Sequence, residues 1–173
     1  MSPEDQPAAV TAQTETPLEA LANSSFARVA DAKPFDGNAV RLLCDGTENF
    51  PVWLAAIAAA KRTVHLENYI IADDDTGRTF ADALIAAARR GVRCRVIYDW
   101  LGCRSRTSGR FWSRLAAAGV EVRCYNPPQM TNPLVLGSRD HRKVLCVDSE
   151  VGYTGGLCIG GDWVGDAKRG LAP

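Results

Sequence analysis

Beyond about residue 38, apolar and polar positions alternate between two rhythms. Ala39–Cys44 (AVRLLC) is a short apolar run that predicts a first strand, and Asp45-Gly46-Thr47 predicts a turn. Phe50–Lys61 is alanine-rich, with Pro51 suited to a first helical turn, and predicts a helix. Thr63–Ile71 (TVHLENYII) is β-branched and apolar, hence a strand, followed by an acidic turn at Asp73–Asp75. Thr79–Arg90 predicts a helix stopped by Gly91, and Val92–Tyr98 a third strand. After a polar loop with several arginines, Gly102–Gly109, come a helix at Phe111–Ala118 and a strand at Val120–Tyr125. Asn126–Asn132 reads as loop. Lys143–Val147 and Val151–Thr154 read as two strands joined by a turn at Asp148-Ser149-Glu150. Strands alternating with crossover-length helices predict an α/β sandwich whose sheet is mixed or largely parallel and flanked by helices. Residues 1–35, rich in Ala, Thr, Pro, Ser and Glu, have no sustained period. They predict a disordered tail with at most a short helix near Leu18–Leu21, and the folded domain is expected over 36–173.

Composition changes this picture little. A chain of 173 residues with 46% hydrophobic residues suits one globular domain. Net charge is zero, but the first forty residues hold six acids and two bases. That leaves fourteen acids against eighteen bases, a net of +4, in the remainder. The excess fits an anionic substrate or surface without selecting one. The six cysteines show no CxxC spacing and read as reduced thiols of a cytoplasmic protein. Two histidines, His65 and His141, are too few to suggest a zinc site. The opening MSPEDQPAAV lacks the apolar core of a signal peptide, and no run is long enough to span a bilayer. Membrane contact is therefore expected to be peripheral.

The chemistry concentrates in residues 140–161, DHRKVLCVDSEVGYTGGLCIGG. His141 stands just before a strand and Lys143 two residues on, so the two side chains share one face. A nucleophile beside a fixed positive charge is what attack on a phosphodiester needs. Asp148 is expected to bind a histidine ring N–H, and Gly155-Gly156 to let backbone N–H groups approach phosphate oxygens. Glu67 is a charge within an apolar strand, either orienting a catalytic group or lying at an edge. Asp99 ends a strand, where α/β proteins place functional groups, or else caps the turn that follows. Arg104, Arg106 and Arg110 suit anionic headgroups or simply a solvated face.

The spacing His141-x-Lys143-x4-Asp148-x6-Gly155-Gly156 resembles the HKD motif of the phospholipase D superfamily. The stretches HLENYII at 65–71, TFADALIAAARRGVRCRVIYDWLG at 79–102 and DHRKVLCVDSEVGYTGG at 140–156 resemble the amino-terminal half of bacterial cardiolipin synthases. The resemblance implies a phosphatidyltransferase or phosphodiesterase acting on phospholipid, phosphatidylglycerol in particular, with no metal or other cofactor. His141 would attack phosphorus to form a phosphohistidine, Lys143 would hold the phosphate oxygens, and Asp148 would support the histidine. A second histidine, from another HKD motif, would protonate the leaving alcohol and then activate water or an acceptor alcohol.

Two departures from the family pattern stand out. There is one HKD motif here, because Glu67 occupies the position two residues after His65 where a lysine would be needed. The second histidine is therefore expected from a homodimer or from a missing second half, and the domain is expected to be incomplete at its C-terminus. Cys158 stands where the family usually places an asparagine that donates to phosphate, and a thiol donates weakly. The expected site is thus His141, Lys143 and Asp148, with Gly155, Gly156, Cys158 and Glu67 at the substrate. The expected location is the cytoplasm, with peripheral contact at the inner membrane. Alternatives are a dimeric single-motif endonuclease, with nucleic acid the less favoured substrate, and a truncated, non-catalytic remnant that binds anionic headgroups.

Overall fold

The computed structural model describes residues 16–33, 35, 37–128 and 137–164. The chain divides into one unit ending at Leu42 and a second beginning at Leu43. The first contains α1 (Pro17–Ala30), where a tail with at most a short helix near Leu18–Leu21 was expected. The missed signal is Thr16-x-x-Glu19. The Thr16 hydroxyl accepts the Glu19 N–H at 3.3 Å, and the Thr16 N–H donates back to the Glu19 carboxylate at 2.8 Å. None of the helix's residues is buried. Residues 39–44 form no strand; Val40 and Leu42 are 96% and 85% exposed. An apolar run becomes a strand only where a sheet edge receives it, and this one pairs with none.

The second unit orders α2 (Asp45–Ala59), β1 (Thr63–Asn68), α3 (Asp75–Arg89), β2 (Arg93–Asp99), α4 (Trp100–Cys103), α5 (Gly109–Ala117), β3 (Glu121–Tyr125), β4 (Lys143–Val147) and β5 (Val151–Thr154). Both α2 and α3 start earlier than their apolar rhythm suggests, because acidic caps extend them. Asp45 Oδ1 accepts the N–H groups of Thr47 and Glu48, and Asp74 Oδ1 accepts that of Gly77 at 2.8 Å. The turn expected at Asp45-Gly46-Thr47 is thus the first turn of α2, while Asp73 and Asp74 remain outside α3 as the expected acidic turn.

The sheet order is β3-β2-β1-β4-β5. β1, β2 and β3 are parallel, while β4 runs antiparallel to both β1 and β5. The mixed α/β sheet is the expected one. Its inward face, with Val64, Leu66, Cys94, Val96, Leu145 and Val147, packs against Phe50, Trp53 and Ile57 of α2, Phe80, Leu84 and Ile85 of α3, and Phe111 and Leu115 of α5. Rings of Phe50, Trp53 and Phe80 meet edge to face at 5.4–6.3 Å. Each fully buried side chain of this kind contributes about 1.5–3 kcal/mol. On the opposite face His65, Arg93 and Arg95 are exposed, so the helices α2, α3 and α5 cover one side only.

This topology fixes the edge on which chemistry can assemble. The C-terminal ends of β1, β2 and β3, the start of β4 and the end of β5 all come together along one rim. In open α/β sheets that rim is where ligands bind.

Candidate active site

His141 and Lys143 stand at this rim. Lys143 opens β4 directly opposite Asn68, the last residue of β1, and the two are 5% and 2% exposed. The Lys143 ammonium donates to the His141 carbonyl at 2.8 Å and lies 5.3 Å from the centroid of the Tyr69 ring. It forms no ion pair with a carboxylate among the described residues. His141 is exposed, and its imidazole meets the same Tyr69 ring at 4.6 Å between centroids. The shared face expected from the two-residue spacing is realised through Tyr69, which both side chains touch.

Tyr69 and Asn68 were not anticipated as site residues. A hint was present: an asparagine ending an apolar strand must find partners. Asn68 Nδ2 donates to the Leu157 carbonyl at 3.3 Å, and its Oδ1 accepts the Ile70 N–H at 3.3 Å. These bonds tie the end of β1 to the loop after β5. That loop is held further by Ile159 N–H to the Ile70 carbonyl, Ala72 N–H to the Ile159 carbonyl, and Gly161 N–H to Asp74 Oδ2.

Gly155 and Gly156 begin this loop at the same rim, exposed, with nothing within 4 Å of where a Cβ would stand. Neither has a positive φ. The chain itself therefore does not require glycine at either position. Cys158, expected at the substrate, is 3% exposed and lies beneath the loop. Burial pushes its thiol up, while a backbone hydrogen bond at Ile70 and the charge of Lys143 pull the other way.

Asp148 is a correction. Lys143 opens β4 and Asp148 follows its last residue, so five strand steps separate them by about 16 Å. Asp148 therefore sits on the far edge of the sheet, where it cannot reach the His141 ring. Its carboxylate accepts the N–H groups of Lys61, Arg62 and Thr63 at 2.9, 2.7 and 2.8 Å, locking the α2–β1 connection to the β4–β5 turn. The bonds from Thr63 and Lys61 hold its carboxyl below the ordinary aspartate value.

Glu67 faces away from Lys143, on the uncovered side of β1. Its carboxylate accepts from Arg142 Nη1 at 3.2 Å and neighbours Asp140. It grips the residues flanking His141 rather than His141 itself. Burial and the Asp140 carboxyl raise its pKa, and Arg142 opposes the shift. Of the loop arginines, Arg106 pairs with Asp162 at 2.6 Å and Arg104 lies over the Trp100 ring.

Residues 53–160 match the family described as "Cardiolipin synthase, PLD-like domain". Among curated relatives, the major cardiolipin synthase ClsA of Bacillus subtilis is 37% identical over 131 residues, covering 75% of this chain and 27% of its own length. Cardiolipin synthase B of Escherichia coli is 36% identical over 128 residues, covering 70% of this chain and 30% of its own. The chain thus spans little more than a quarter of the relatives it matches. Among solved structures, the phospholipase D family member Nuc from Salmonella typhimurium aligns with a TM-score of 0.50 and 25% identity over 64% of each chain. The family match over residues 53–160 takes in His141, Lys143 and the loop after β5, and by it the chain belongs to the phospholipase D-like domains of the cardiolipin synthase family.

Proposed function

We propose that this chain supplies the nucleophilic half of a phosphatidyltransferase site, with phosphatidylglycerol as the phosphatidyl donor. The observation that carries the reading is Lys143. The residue is 5% exposed, and its ammonium has a backbone carbonyl and an aromatic face as partners and no carboxylate among the described residues. A buried cation without a counter-charge is expensive, and a phosphodiester anion held beside the exposed His141 would offset that cost.

In this reading an imidazole nitrogen of His141 attacks phosphorus, and the bond from phosphorus to the glycerol oxygen breaks. The leaving oxygen takes a proton from a second imidazole, supplied by another copy of the chain or by a second HKD half. That imidazole then removes the proton of an acceptor alcohol, whose oxygen attacks phosphorus and releases His141. Lys143 stabilises the charge on the non-bridging oxygens throughout. The open space beside Gly155 and Gly156 admits those oxygens to backbone N–H groups. A lipid substrate implies contact with a membrane surface; among the described residues no helix is long and apolar enough to cross one.

The test is to incubate the protein with vesicles of phosphatidylglycerol carrying labelled phosphate and to quench in denaturant. Acid-labile, base-stable label on His141, absent from His141→Asn, is the expected result. Label that persists in His141→Asn, or turnover that does not depend on His141, would refute the reading.

A further inference from the structure

We propose that Asp99 is a positioning residue for His141, joining the backbone that carries the imidazole to the helix that supports Tyr69. The proposal rests on His141 as nucleophile but concerns a residue that touches neither substrate nor phosphorus.

Asp99 ends β2 and is 0% exposed. Its two oxygens serve two different segments. Oδ1 accepts the N–H groups of Leu101 and Gly102 at 2.8 and 3.0 Å, capping α4. Oδ2 accepts the N–H of Asp140, the residue before His141, at 3.0 Å. The Arg139 guanidinium flanks the carboxylate, with Nη1 at 3.4 Å from Oδ1.

The helix that Asp99 caps is the one that holds Tyr69. Gly102 packs so closely that a Cβ there would lie 2.2 Å from the Tyr69 carbonyl oxygen and 3.0 Å from its ring. The Cys103 thiol lies 3.7 Å from the same carbonyl. Tyr69 in turn is the ring on which His141 rests. One buried carboxylate thus fixes the His141 imidazole from two sides, through the Asp140 peptide and through α4 and Tyr69.

A carboxylate is the side chain that can do this, because both of its oxygens accept. In Asp99→Asn one oxygen becomes an amino group. Whichever way the amide turns, that group confronts a backbone N–H, at either α4 or Asp140. One of the two supports is then lost, while size and shape are kept.

The chain has two histidines, so the imidazole resonances of His141 are read by NMR with His65 as internal reference. His65 lies on the uncovered face of β1, away from the rim. In folded Asp99→Asn, the ring signals of His141 are expected to move while those of His65 stay. Labelling of His141 from phosphatidylglycerol should slow by about 10- to 100-fold, the loss typical of a misplaced reacting group. If Asp99→Asn does not fold, Tyr69→Leu, which keeps every Asp99 bond, must displace the His141 signals in the same way.

A labelled wild type with unchanged His141 signals and labelling rate in folded Asp99→Asn overturns the positioning role and leaves the nucleophile intact. Unchanged signals in Tyr69→Leu overturn it equally. Displaced His141 signals in a protein that is never labelled uphold the positioning and refute the nucleophile.

Discussion

The two ends of β4 carry the two ends of one short motif and are built on opposite principles. At Lys143 a buried cation has no counter-charge among the described residues, and an exposed imidazole rests on a ring. At Asp148 a carboxylate is satisfied by three backbone N–H groups, and nothing near it is left to react. The first end is costly to fold and suited to a ligand. The second contributes to the fold, its carboxylate already holding three N–H groups. Residues that recur together in sequence thus meet different surroundings at the two ends of one strand, and the proposed chemistry belongs to the Lys143 end alone.

The sharpest way to break this contrast is His141→Asn. Turnover of phosphatidylglycerol by the assembled enzyme should fall by at least about 10⁴-fold, as when a nucleophile is removed, with Tm unchanged because the side chain is exposed. Equal turnover in the variant would show that the rim is not the reacting end.

Lys143→Met comes next. Activity should fall by about 10²- to 10³-fold, the range for losing one charge-stabilising donor, while Tm holds or rises because an uncompensated buried cation has become apolar. A large fall in Tm would mean that the ammonium stabilises the fold and is not held in reserve for an anion.

Asp148→Ala should do the reverse, lowering Tm while leaving the NMR ring signals of His141 unaltered. The sign with pH follows from its depressed pKa. The stabilisation from Asp148 is fully present above about 3.8, the ordinary aspartate value, and is lost as pH falls through its lower folded value. Denaturation of wild type and variant across that range should therefore converge at low pH. Displaced His141 ring signals in Asp148→Ala would join the two ends again.

The smallest effect is expected at Glu67. Its raised pKa means that the folded state holds the proton more tightly than the unfolded state. The associated stability is present at low pH and lost as pH rises above about 4.5 toward the folded value. Glu67→Gln cannot ionise, so it should gain stability relative to wild type across that window, measured by denaturant midpoints. A constant difference with pH would remove Glu67 from the titrating groups of the rim.

Much of this was legible in the chain. The β-branched and apolar runs at Thr63–Ile71, Val92–Tyr98, Lys143–Val147 and Val151–Thr154 mark strands, close to the observed bounds, because side-chain type is a local property. The His141-x-Lys143 spacing places both residues on one face for the same reason. Asp99 was readable as a cap, and it is one, on Leu101 and Gly102. Its second bond, to Asp140, was not readable, since 41 residues separate the partners. The strand expected at Ala39–Cys44 failed because pattern does not reveal whether an edge is available.

The sequence by itself determined the α/β class, the positions of the strands, the pairing of imidazole with ammonium and the family. These follow from local periodicity and short spacing. Tertiary structure alone decided that Asp148 serves the far edge, that Tyr69 is the surface His141 rests on, and that Cys158 is covered. Each of these depends on which strand lies beside which and in what direction. Direction is set by packing the whole sheet on one core, and no stretch of residues encodes it alone.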